Sequence, residues 1–451
     1  MMTAWKKVKV GDFLFEREGR YKPDSQEIAG LQRIEKIDFS GNFHIANKPS
    51  QTDIILIKLG DLVISGINIA KGALGVYHGK EDVTATIHYS SYIFDKSKIN
   101  IEYFKRFLKS SLFIQLLKEQ VKGGIKTEIK PKHLLALEIL LPGKAEQLAI
   151  LNRFLKIENE DAELTSELAH QKNLLKKLRQ QILQEAIEGK LTADWRAKNP
   201  NVEPANELLK RIVAEKAQLV KNKKIKAQKP LPPITDEEKP FELPQGWDLA
   251  TLENCSINKD ESRIPIAKSE RISRDKIYDY YGASGVIDKI DGFTHDGRHL
   301  LIGEDGANLV ARSTPVAFIA DGKFWVNNHA HVIATIDNIT LDYLWIHINA
   351  INLKPYISGG FQPKLSQGNL SQIVINFPPL LEQQAIITKV ESLLALCDQL
   401  ETQITQNQTY AEQLMQAVLK EAFSHNSKAE FSSVTPRAST HLPDAMVYGD
   451  S

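Results

Sequence analysis

Two short motifs in the second half of the chain carry side chains that could bind a metal ion. Gly303-Glu304-Asp305-Gly306 places adjacent carboxylates between glycines, and His329-Ala330-His331 has the alternation of a strand, with both imidazoles on one face. A metal or nuclease site would need further carboxylates or a lysine at suitable spacing, and zinc would need a third ligand. The nearby sequence offers none, so a packed strand or one that faces a nucleic acid is the favoured interpretation.

Other signs of catalysis are missing from the sequence. It contains no Walker A motif, no G-x-G-x-x-G turn, no Asp/Asn-Pro-Pro-aromatic motif and no H-E-x-x-H. Cys255 and Cys397 lie far apart and form no metal-ligand spacing, which indicates two reduced thiols in a cytoplasmic protein. The longest apolar runs, such as residues 134–141, are too short to span a bilayer, and the N-terminus lacks a signal-peptide pattern. We therefore expect a cytoplasmic, non-catalytic protein without a metal.

The chain repeats itself at an offset of 236 residues over about 65 positions without a gap. Gly123-Gly124 aligns with Gly359-Gly360, and Glu146-Gln147 aligns with Glu382-Gln383. Helical periodicity alone would not place the same Gly-Gly, Pro and Glu-Gln twice. The sequence therefore predicts a duplicated unit that offers two similar surfaces.

A long helix ends each copy of the repeat. Residues 145–188 contain neither Pro nor Gly, and both helices carry a mostly apolar heptad stripe. Such stripes favour an antiparallel coiled coil between the two helices, while packing of each helix on its own domain is the alternative. The predicted seams are Ile157, Asp161, Leu164, Leu168, Gln171, Leu175, Leu178 and Ile182 in the first helix, and Leu393, Cys397, Leu400, Ile404, Asn407, Ala411, Leu414 and Val418 in the second.

The predicted fold class is α+β: two mixed α/β domains are separated by two long antiparallel coiled-coil helices, related by a pseudo-twofold internal repeat. Within the first domain, 101–121 is predicted as one helix. The predicted segments are a globular domain at 1–145, a spacer helix at 146–190, a linker at 191–245, a second globular domain at 246–380, a second spacer helix at 381–423 and a disordered tail at 424–451.

The charge of the chain is uneven. Residues 1–145 hold 23 Lys and Arg against 16 Asp and Glu, whereas residues 246–380 hold 12 against 15. The linker has a helical pattern at 205–224, with Leu208, Ile212 and Leu219 on one face and a lysine cluster. We expect a solvated, mobile tether there, with contact to DNA or a partner as the alternative. A second domain that binds nucleic acid needs a local basic face rather than a net field.

Several motifs together resemble the specificity subunit of type I restriction-modification systems. They follow the order of that family over most of the chain and include two departures, Pro-Gly-Lys-Ala after the first domain and a bare Trp5 at its start. The motifs are Gly189-Lys190-Leu191-Thr192-Ala193-Asp194-Trp195-Arg196, Tyr281-Gly282-Ala283-Ser284-Gly285, Gly303-Glu304-Asp305-Gly306-Ala307, Trp325-Val326-Asn327-Asn328-His329-Ala330-His331, Gly359-Gly360-Phe361-Gln362-Pro363-Lys364-Leu365-Ser366 and Ile375-Asn376-Phe377-Pro378-Pro379-Leu380-Leu381-Glu382-Gln383.

This resemblance implies a DNA reader that is not itself an enzyme. Residues 1–145 and 246–380 would be target recognition domains, each reading one half of a split, asymmetric DNA site, and the helices would set the gap. Two modification subunits would dock on the helices and methylate adenine N6 with S-adenosylmethionine. Restriction and translocase subunits would use ATP and Mg, and no cofactor would bind this chain.

The physical candidates for DNA contact are polar side chains in loops near glycines, because Arg and Lys pair with guanine and Asn and Gln with adenine. They are Asn68, Lys71, Lys122, Lys126 and Lys130 in the first domain, and Lys268, Arg271, Arg274, Ser284, Asn308, Arg312, Gln362 and Lys364 in the second.

Two other functions stay open from the sequence. A structural adaptor with two binding modules would use the helices to join protein partners. A standalone DNA-binding regulator would bind tightly without partners. An adjacent reading frame with an adenine-methyltransferase motif would favour the specificity subunit over both.

Overall fold

The computed structural model describes residues 5–47, 50–120, 129–226, 231, 234, 241–360 and 362–423. The chain divides into two compact units, one formed by Met1–Leu168 with Thr405–Ser451 and the other by Ala169–Ile404. The two longest helices, α4 (Lys144–Ile187) and α12 (Leu380–Phe423), each contribute one part to each unit. The predicted tail, 424–451, lies outside the described residues.

The described part of the first unit has a two-stranded and two four-stranded sheets. Strand β1 pairs with β10, and the larger sheets have the orders β2-β9-β6-β7 and β4-β3-β8-β5, with β3 and β8 parallel. The strands are β1 (Lys6–Lys9), β2 (Leu14–Glu16), β3 (Arg33–Ile37), β4 (Phe43–Ala46), β5 (Ile54–Ile57), β6 (Leu62–Ser65), β7 (Leu74–Val76), β8 (Val83–Thr86), β9 (Tyr89–Phe94) and β10 (Glu138–Leu141).

The helix predicted at 101–121 is two helices, α1 (Ile101–Lys109) and α2 (Ser111–Gln120). At the break, the Ser110 hydroxyl donates to the Phe107 carbonyl at 2.6 Å, and its oxygen accepts from the Phe113 amide at 3.3 Å. A serine side chain that takes over backbone hydrogen bonds in this way ends a helix. A short helix, α3 (Pro131–Leu135), follows.

Aromatic side chains dominate the core of the first unit. Phe423, at the end of α12, lies 5.3 Å from the ring of Tyr103, 5.6 Å from Phe107 and 5.6 Å from Phe154. All four rings are at least 96% buried. The last turn of α12 is therefore part of the core of this unit.

The described part of the second unit repeats the strand pairing of the first. Strand β11 pairs with β20, and the four-stranded sheets have the orders β12-β19-β16-β17 and β14-β13-β18-β15, with β13 and β18 parallel. The strands are β11 (Asp248–Thr251), β12 (Ile257–Asn258), β13 (Tyr278–Gly282), β14 (Gly285–Ile290), β15 (His295–Asp296), β16 (His299–Gly303), β17 (Ala317–Ala320), β18 (Lys323–Val326), β19 (Ala330–Ala334) and β20 (Val374–Phe377).

A buried helix, α10 (Asn338–Ala350), packs beneath the sheets of the second unit and is apolar on most of its surface, as a core helix should be. Asp337 caps its N-terminus by accepting a hydrogen bond from the Thr340 amide at 2.7 Å. The remaining helices of this unit are α5 (Ala193–Lys198), α6 (Ala205–Lys221), α7 (Leu252–Cys255), α8 (Lys268–Ile272), α9 (Asn308–Ala311) and α11 (Gln367–Ser371).

The linker helix α6 is not a solvated tether, which corrects the sequence-based expectation. Leu208, Ile212 and Lys216 are buried, and the Lys216 ammonium donates to the Glu253 carbonyl at the edge of α7. Burial lowers the pKa of Lys216. The apolar stripe that the sequence showed packs on the second unit, because burying it there costs less than leaving it in water.

The long helices pack antiparallel within each unit. In the first unit, Phe154 meets Phe423, and Asp161 and Leu168 lie beside Ala411. In the second unit, the Arg179 guanidinium binds Asp398 at 2.6 Å and Glu401 at 2.9 Å.

The seam between the helices is narrower than predicted. The buried seam residues are spaced by seven, which is one per heptad in each helix. Leu164, Leu178, Leu400 and Leu414 are between 42% and 60% exposed, which corrects their place in the seam. Ile157, Gln171, Leu393, Asn407 and Val418 are half-buried. The buried rows are Leu168, Leu175 and Ile182, and Cys397, Ile404 and Ala411.

The predicted α+β fold class, with two mixed domains, two long helices and an internal repeat, is confirmed. The repeat is more extensive in the fold than in the sequence, because every described strand of the first unit has a counterpart with the same neighbours in the second.

Candidate nucleic-acid interface

A short hairpin, residues 358–364, projects from the second unit, and we call it the finger. Lys364 and Ser358 exchange backbone hydrogen bonds at 2.8 and 2.9 Å, which closes the base of the finger. Gly359 has φ +85°, and a Cβ there would lie 2.5 Å from the Gln362 carbonyl, so the turn requires glycine. The structure describes the finger apart from Phe361.

The finger is fastened to the loop that follows β16. The Leu365 amide donates to the Glu304 carbonyl at 2.8 Å, and the Gly306 amide donates to the Pro363 carbonyl at 3.1 Å. The Gly303-Glu304-Asp305-Gly306 motif is therefore the seat of the finger, joined to it through the backbone.

A network of charged side chains lies beneath this seat. The His331 Nδ1 atom lies 2.6 Å from Asp260, and its Nε2 atom lies 2.8 Å from the Leu365 carbonyl oxygen. Arg263 donates to Glu304 at 2.6 Å, and the Lys364 ammonium lies 3.2 Å from the same carboxylate. His331 is fully buried, and Asp260 nearly so. Opposite charges and hydrogen bonds offset the cost of burying these groups.

Asp260 is the member of the network that is bound both to a side chain and to the sheet backbone. Burial acts to raise the pKa of its carboxyl, but the hydrogen bond and charge of His331, the charge of Arg263 and the Val332 amide outweigh it, and the pKa is lowered. The carboxylate also accepts from the Val332 amide at 2.8 Å, which ties it to β19. Asp260 therefore stays charged and holds His331 against the sheet.

The two histidines of the alternating motif have separate surroundings. His331 belongs to the network, and His329 is exposed, with Nδ1 at 2.8 Å from Asp305. Within the described residues, no group of three or more His, Cys, Asp or Glu side chains could hold a metal ion. His331 thus matches the packed-strand interpretation.

The structure brings some predicted DNA-contact residues of the second unit together. Gln362 and Lys364 are on the finger and exposed. Ser284 is exposed at the turn between β13 and β14, and its neighbour Ala283 approaches the seat, since a Cβ on Gly303 would lie 2.8 Å from the Ala283 carbonyl oxygen. These three polar side chains can share one surface with the finger.

Asn308 and Arg312 use their polar atoms inside the same loop region. The Asn308 amide oxygen accepts from the Thr314 amide at 3.1 Å. Arg312 has φ +49° and donates to the carbonyls of Asn349 and Ile351, and burial lowers the pKa of its guanidinium. Both side chains therefore support the loop.

The predicted cations in and just after α8 contact the other end of the β13–β14 hairpin. Arg271 donates to Asp288 at 3.0 Å and lies 4.5 Å from the Tyr280 ring. Arg274 donates to Asp291 at 2.7 Å and lies 5.5 Å from the Trp325 ring. Their charges are already balanced by carboxylates, whereas Lys268 is exposed.

One of the two backbone hydrogen bonds that hold the finger has a counterpart in the first unit. The Ile129 amide donates to the Gly66 carbonyl at 2.9 Å, as Leu365 does to Glu304. Next to it lie Asn68, which is half-buried, and the exposed Lys71 and Lys130. Lys122 and Lys126 lie outside the described residues.

At the positions equivalent to part of the charged network of the second unit, the described residues of the first unit line a cavity of about 200 Å³. Ser90 occupies the strand position of His331, because Ile64 pairs with Ser90 as Ile302 pairs with His331. Glu18 and Ser90 line the cavity, with Arg17 held at 2.5 Å from Asp61.

The repeated Glu-Gln motif has a structural role that the sequence did not disclose. The Gln147 side-chain amide donates to the Pro142 carbonyl at 2.9 Å, and Gln383 does the same to Pro378 at 2.9 Å. Each glutamine thereby fastens the turn from the last strand into the long helix. The duplicated spacing from Pro to Gln was the available signal.

The glutamates before these glutamines bind tryptophan indoles. Glu146 accepts from Trp5 at 2.9 Å, and the fully buried Glu382 accepts from Trp247 at 2.9 Å. Glu382 also binds Arg196, whose Nη2 atom lies at 2.8 Å, and accepts from the Thr192 hydroxyl at 2.8 Å. The Gly189-to-Arg196 motif thus completes a buried charge pair in the second unit.

No helix of the described residues is long and apolar enough to cross a membrane.

Known proteins share both the sequence pattern and the fold. Residues 247–408 match the family model of the type I restriction modification DNA specificity domain. The chain is 33% identical to the type I restriction enzyme EcoAI specificity subunit of Escherichia coli over 300 residues, which cover 59% of this chain and 48% of that protein. It is 23% identical to the EcoDI specificity subunit of the same species over 440 residues, or 96% and 90% of the two chains.

Residues 247–408 of this chain are thus a type I DNA specificity domain. The resemblance seen in the sequence is thereby confirmed. The chain aligns with only about half of the EcoAI subunit. It is also 32% identical to the EcoEI specificity subunit of Escherichia coli over 253 residues, which cover 50% of this chain and 41% of that protein.

Two solved structures share the fold of this chain. A chain from a study of complex assembly and conformational transition of the type I R-M system superposes with a TM-score of 0.64 at 13% identity, over 94% of this chain and 98% of that one. The HsdS subunit from Thermoanaerobacter tengcongensis superposes with a TM-score of 0.50 at 14% identity, over 93% and 96%.

Proposed function

We propose that this chain is the non-catalytic DNA specificity subunit of a type I restriction-modification complex. It would read a bipartite, asymmetric DNA site and direct adenine-N6 methylation and restriction by its partner subunits. The family match over 247–408 carries this proposal, and the identical strand order of the two domains supports two readers within one chain.

Each domain would read one half of the site with loops fastened at the same place in the fold. In the second domain, Gln362, Ser284 and Lys268 are exposed. Lys364 is exposed too, with its ammonium 3.2 Å from the Glu304 carboxylate. Glutamine suits adenine and lysine suits guanine, and Lys268 suits a phosphate. In the first domain, the proposed readers Asn68, Lys71 and Lys130 lie near the Ile129–Gly66 hydrogen bond, with Lys122 and Lys126 proposed from the sequence alone.

The proposed reading surface also includes Arg271, Arg274, Asn308 and Arg312. Their observed partners favour an indirect role in DNA binding for these four. Carboxylates neutralise Arg271 and Arg274, so their contribution to phosphate binding would be smaller than that of an unpaired cation. Asn308 and Arg312 would shape the loop that the exposed residues use.

The partners proposed are double-stranded DNA, two modification subunits and restriction/translocase subunits, acting in the cytoplasm, where DNA is accessible. The exposed leucines of the long helices offer apolar side chains that protein partners could cover. The modification subunits would supply S-adenosylmethionine, and the restriction subunits ATP and Mg, with no cofactor bound by this chain.

The test is co-expression with the modification subunits of the same system, followed by sequencing of methylated adenines in the host DNA. We expect a split motif with a fixed gap and a purified complex with two modification chains per specificity chain. A free monomer and an unmethylated genome under these conditions would contradict the proposal.

A further inference from the structure

We propose that His331 is the positioning residue of the second reading domain: together with Asp260 and Glu304 it sets the position of the finger, and hence of Gln362 and Lys364, over the DNA. The inference rests on the proposed function and extends it to residues that do not themselves reach the surface.

His331 connects two parts of the domain that are otherwise far apart in the sequence. On one side its Nδ1 atom meets Asp260, which is bound to the β19 backbone. On the other side its Nε2 atom meets the carbonyl of Leu365, the residue that ends the finger. Both ring nitrogens face oxygen atoms, one of Asp260 and one of Leu365. A rigid, buried ring thus fixes the distance from the sheet to the finger.

Glu304 fixes the finger from a second direction. Its carboxylate binds Lys364 on the finger and Arg263, and Arg263 in turn donates to the Ala330 carbonyl at 2.8 Å. Arg263 is 86% buried and Glu304 88% buried at the side chain, so these ion pairs are shielded from solvent. The finger therefore has two side-chain fastenings in addition to its two backbone hydrogen bonds to the seat.

Among the residues of the first domain that the structure describes, the equivalent positions lack this support, which argues that the fold does not require it. Ser90 and His331 occupy equivalent positions, because Ile64 pairs with Ser90 as Ile302 pairs with His331. Gly66 and Glu304 are equivalent too, because the Gly66 amide donates to the His88 carbonyl as the Glu304 amide does to the His329 carbonyl. Glu18 takes the place of Asp260, because the residues before them make equivalent bonds. The Arg17 amide donates to the Ser91 carbonyl, and the Lys259 amide donates to the Val332 carbonyl. A charged network kept in one domain only is suited to the particular loop it carries.

Two conservative substitutions of His331 distinguish the contact of its Nε2 atom with Leu365 from the contact of its Nδ1 atom with Asp260. In His331→Gln the side-chain amide nitrogen lies near the Nε2 position and can still donate to Leu365, whereas in His331→Asn it lies near Nδ1 and can donate only to Asp260. We expect His331→Asn to lose about tenfold or more of the discrimination in the second half-site, the scale of one lost buried hydrogen bond. His331→Gln should retain most of it.

The measurement is the methylated motif of the co-expressed complex, scored separately for each half-site, together with hydrogen exchange of the full-length chain. The Leu365 and Lys364 amides should exchange about tenfold faster in His331→Asn than in wild type, because the finger opens more often. Discrimination in the first half-site should stay at the wild-type level.

His347→Gln is the matched control. His347 is also buried in the second domain, and its Nε2 atom lies 3.1 Å from the Val374 carbonyl, remote from the finger in the contacts it makes. Its substitution should lower the melting temperature by a similar amount and leave the motif and the exchange of Leu365 unchanged. Glu304→Gln provides a second route, with the same loss in the second half-site if His331→Asn fails to fold.

The outcomes are distinct. A wild-type complex that methylates no split motif would overturn the proposed function, while faster exchange in His331→Asn would still support the fastening of the finger. A wild-type split motif with unchanged discrimination in both His331→Asn and Glu304→Gln would overturn the positioning role. Loss of discrimination in His347→Gln to the same extent would reduce His331 to a general stabilising residue and overturn it as well.

Discussion

The two domains share the order of their strands but differ in what lies beneath the loop that we propose reads DNA. The second domain packs a histidine, two carboxylates and two cations there, and the first leaves a cavity of about 200 Å³. They also differ at the start of the long helices, where Glu382 has three side-chain partners and Glu146 has Trp5. A common backbone pairing therefore tolerates different interiors, which separates the contacts that make the fold from those that adapt each copy.

Exchanging one domain should have the largest effect. Replacing residues 248–377 with those of a relative should change one half of the methylated motif completely and leave the other half unaltered. Keeping Trp247 and Glu382 from this chain preserves their 2.9 Å contact across the boundary. The motif is measured by sequencing methylated DNA, and a change in both halves by an active complex would break the assignment of one half-site to each domain.

Lengthening a helix should change the gap and neither half. Asp161-Ala162-Glu163-Leu164 is followed by Thr165-Ser166-Glu167-Leu168, so a third such unit can be inserted after Leu168. Four residues add about 6 Å and rotate the remainder of the helix by about 40°, which a coiled coil can absorb as a stutter. At about 3.4 Å per base pair, the gap should grow by one or two base pairs. An active variant with the original gap would show that the helices do not set the spacing.

The two glutamates at the helix starts should differ in their contribution to stability. Glu382→Ala leaves a mostly buried Arg196 unpaired and should destabilise the second unit by about 3 to 5 kcal/mol. Glu146→Ala loses the bond from Trp5 and should cost about 1 kcal/mol. Denaturant unfolding followed by hydrogen exchange in each unit measures both, with Glu382→Gln as the control that keeps an acceptor for Trp247. Equal losses at the two sites would remove this distinction between the units.

The smallest difference concerns two left-handed turns, one in each unit. Gly72 has φ +98° and a Cβ there would lie 2.4 Å from the Phe39 carbonyl oxygen, so Gly72→Ala should cost about 2 kcal/mol or more. Arg312 has φ +49°, so Arg312→Gly should relieve backbone strain and add about 1 kcal/mol to the free energy of unfolding. The same substitution removes the hydrogen bonds of the guanidinium, which contribute a similar total. Thermal unfolding should therefore show a clear loss for the first and little change for the second.

The sequence predicted the duplication, both long helices and the fold class, because these depend on local periodicity and on motifs at a constant offset. It could not extend the repeat through the strands. β2 and β12 begin 243 residues apart, while β10 and β20 begin 236 apart, so loops of different length shift the register between the copies.

The candidate site was only partly predictable for a related reason. Gln362 and Lys364 were visible as polar residues beside Gly359-Gly360, but Asp260 and His331 are 71 residues apart and meet only in the folded sheet. The burial of α6 could not be predicted either, because an apolar stripe shows that a helix packs on something but not on which surface. The width of the helix seam could not be known either, because the angle at which two helices meet decides whether Leu164 and Leu178 are enclosed.

Phe423 fills the core of the first unit from the far end of the chain, and this imposes an order on biosynthesis. A ribosome that has completed residues 1–168 has delivered every described strand of that unit but not the ring that packs among Tyr103, Phe107 and Phe154. The nascent polypeptide must carry this open aromatic site through translation of the whole second unit, a span of 236 residues from Ala169 to Ile404, before α12 can close it. The earliest part to be made is thus the last to be finished, and a prematurely terminated message yields a first domain with its core unsealed.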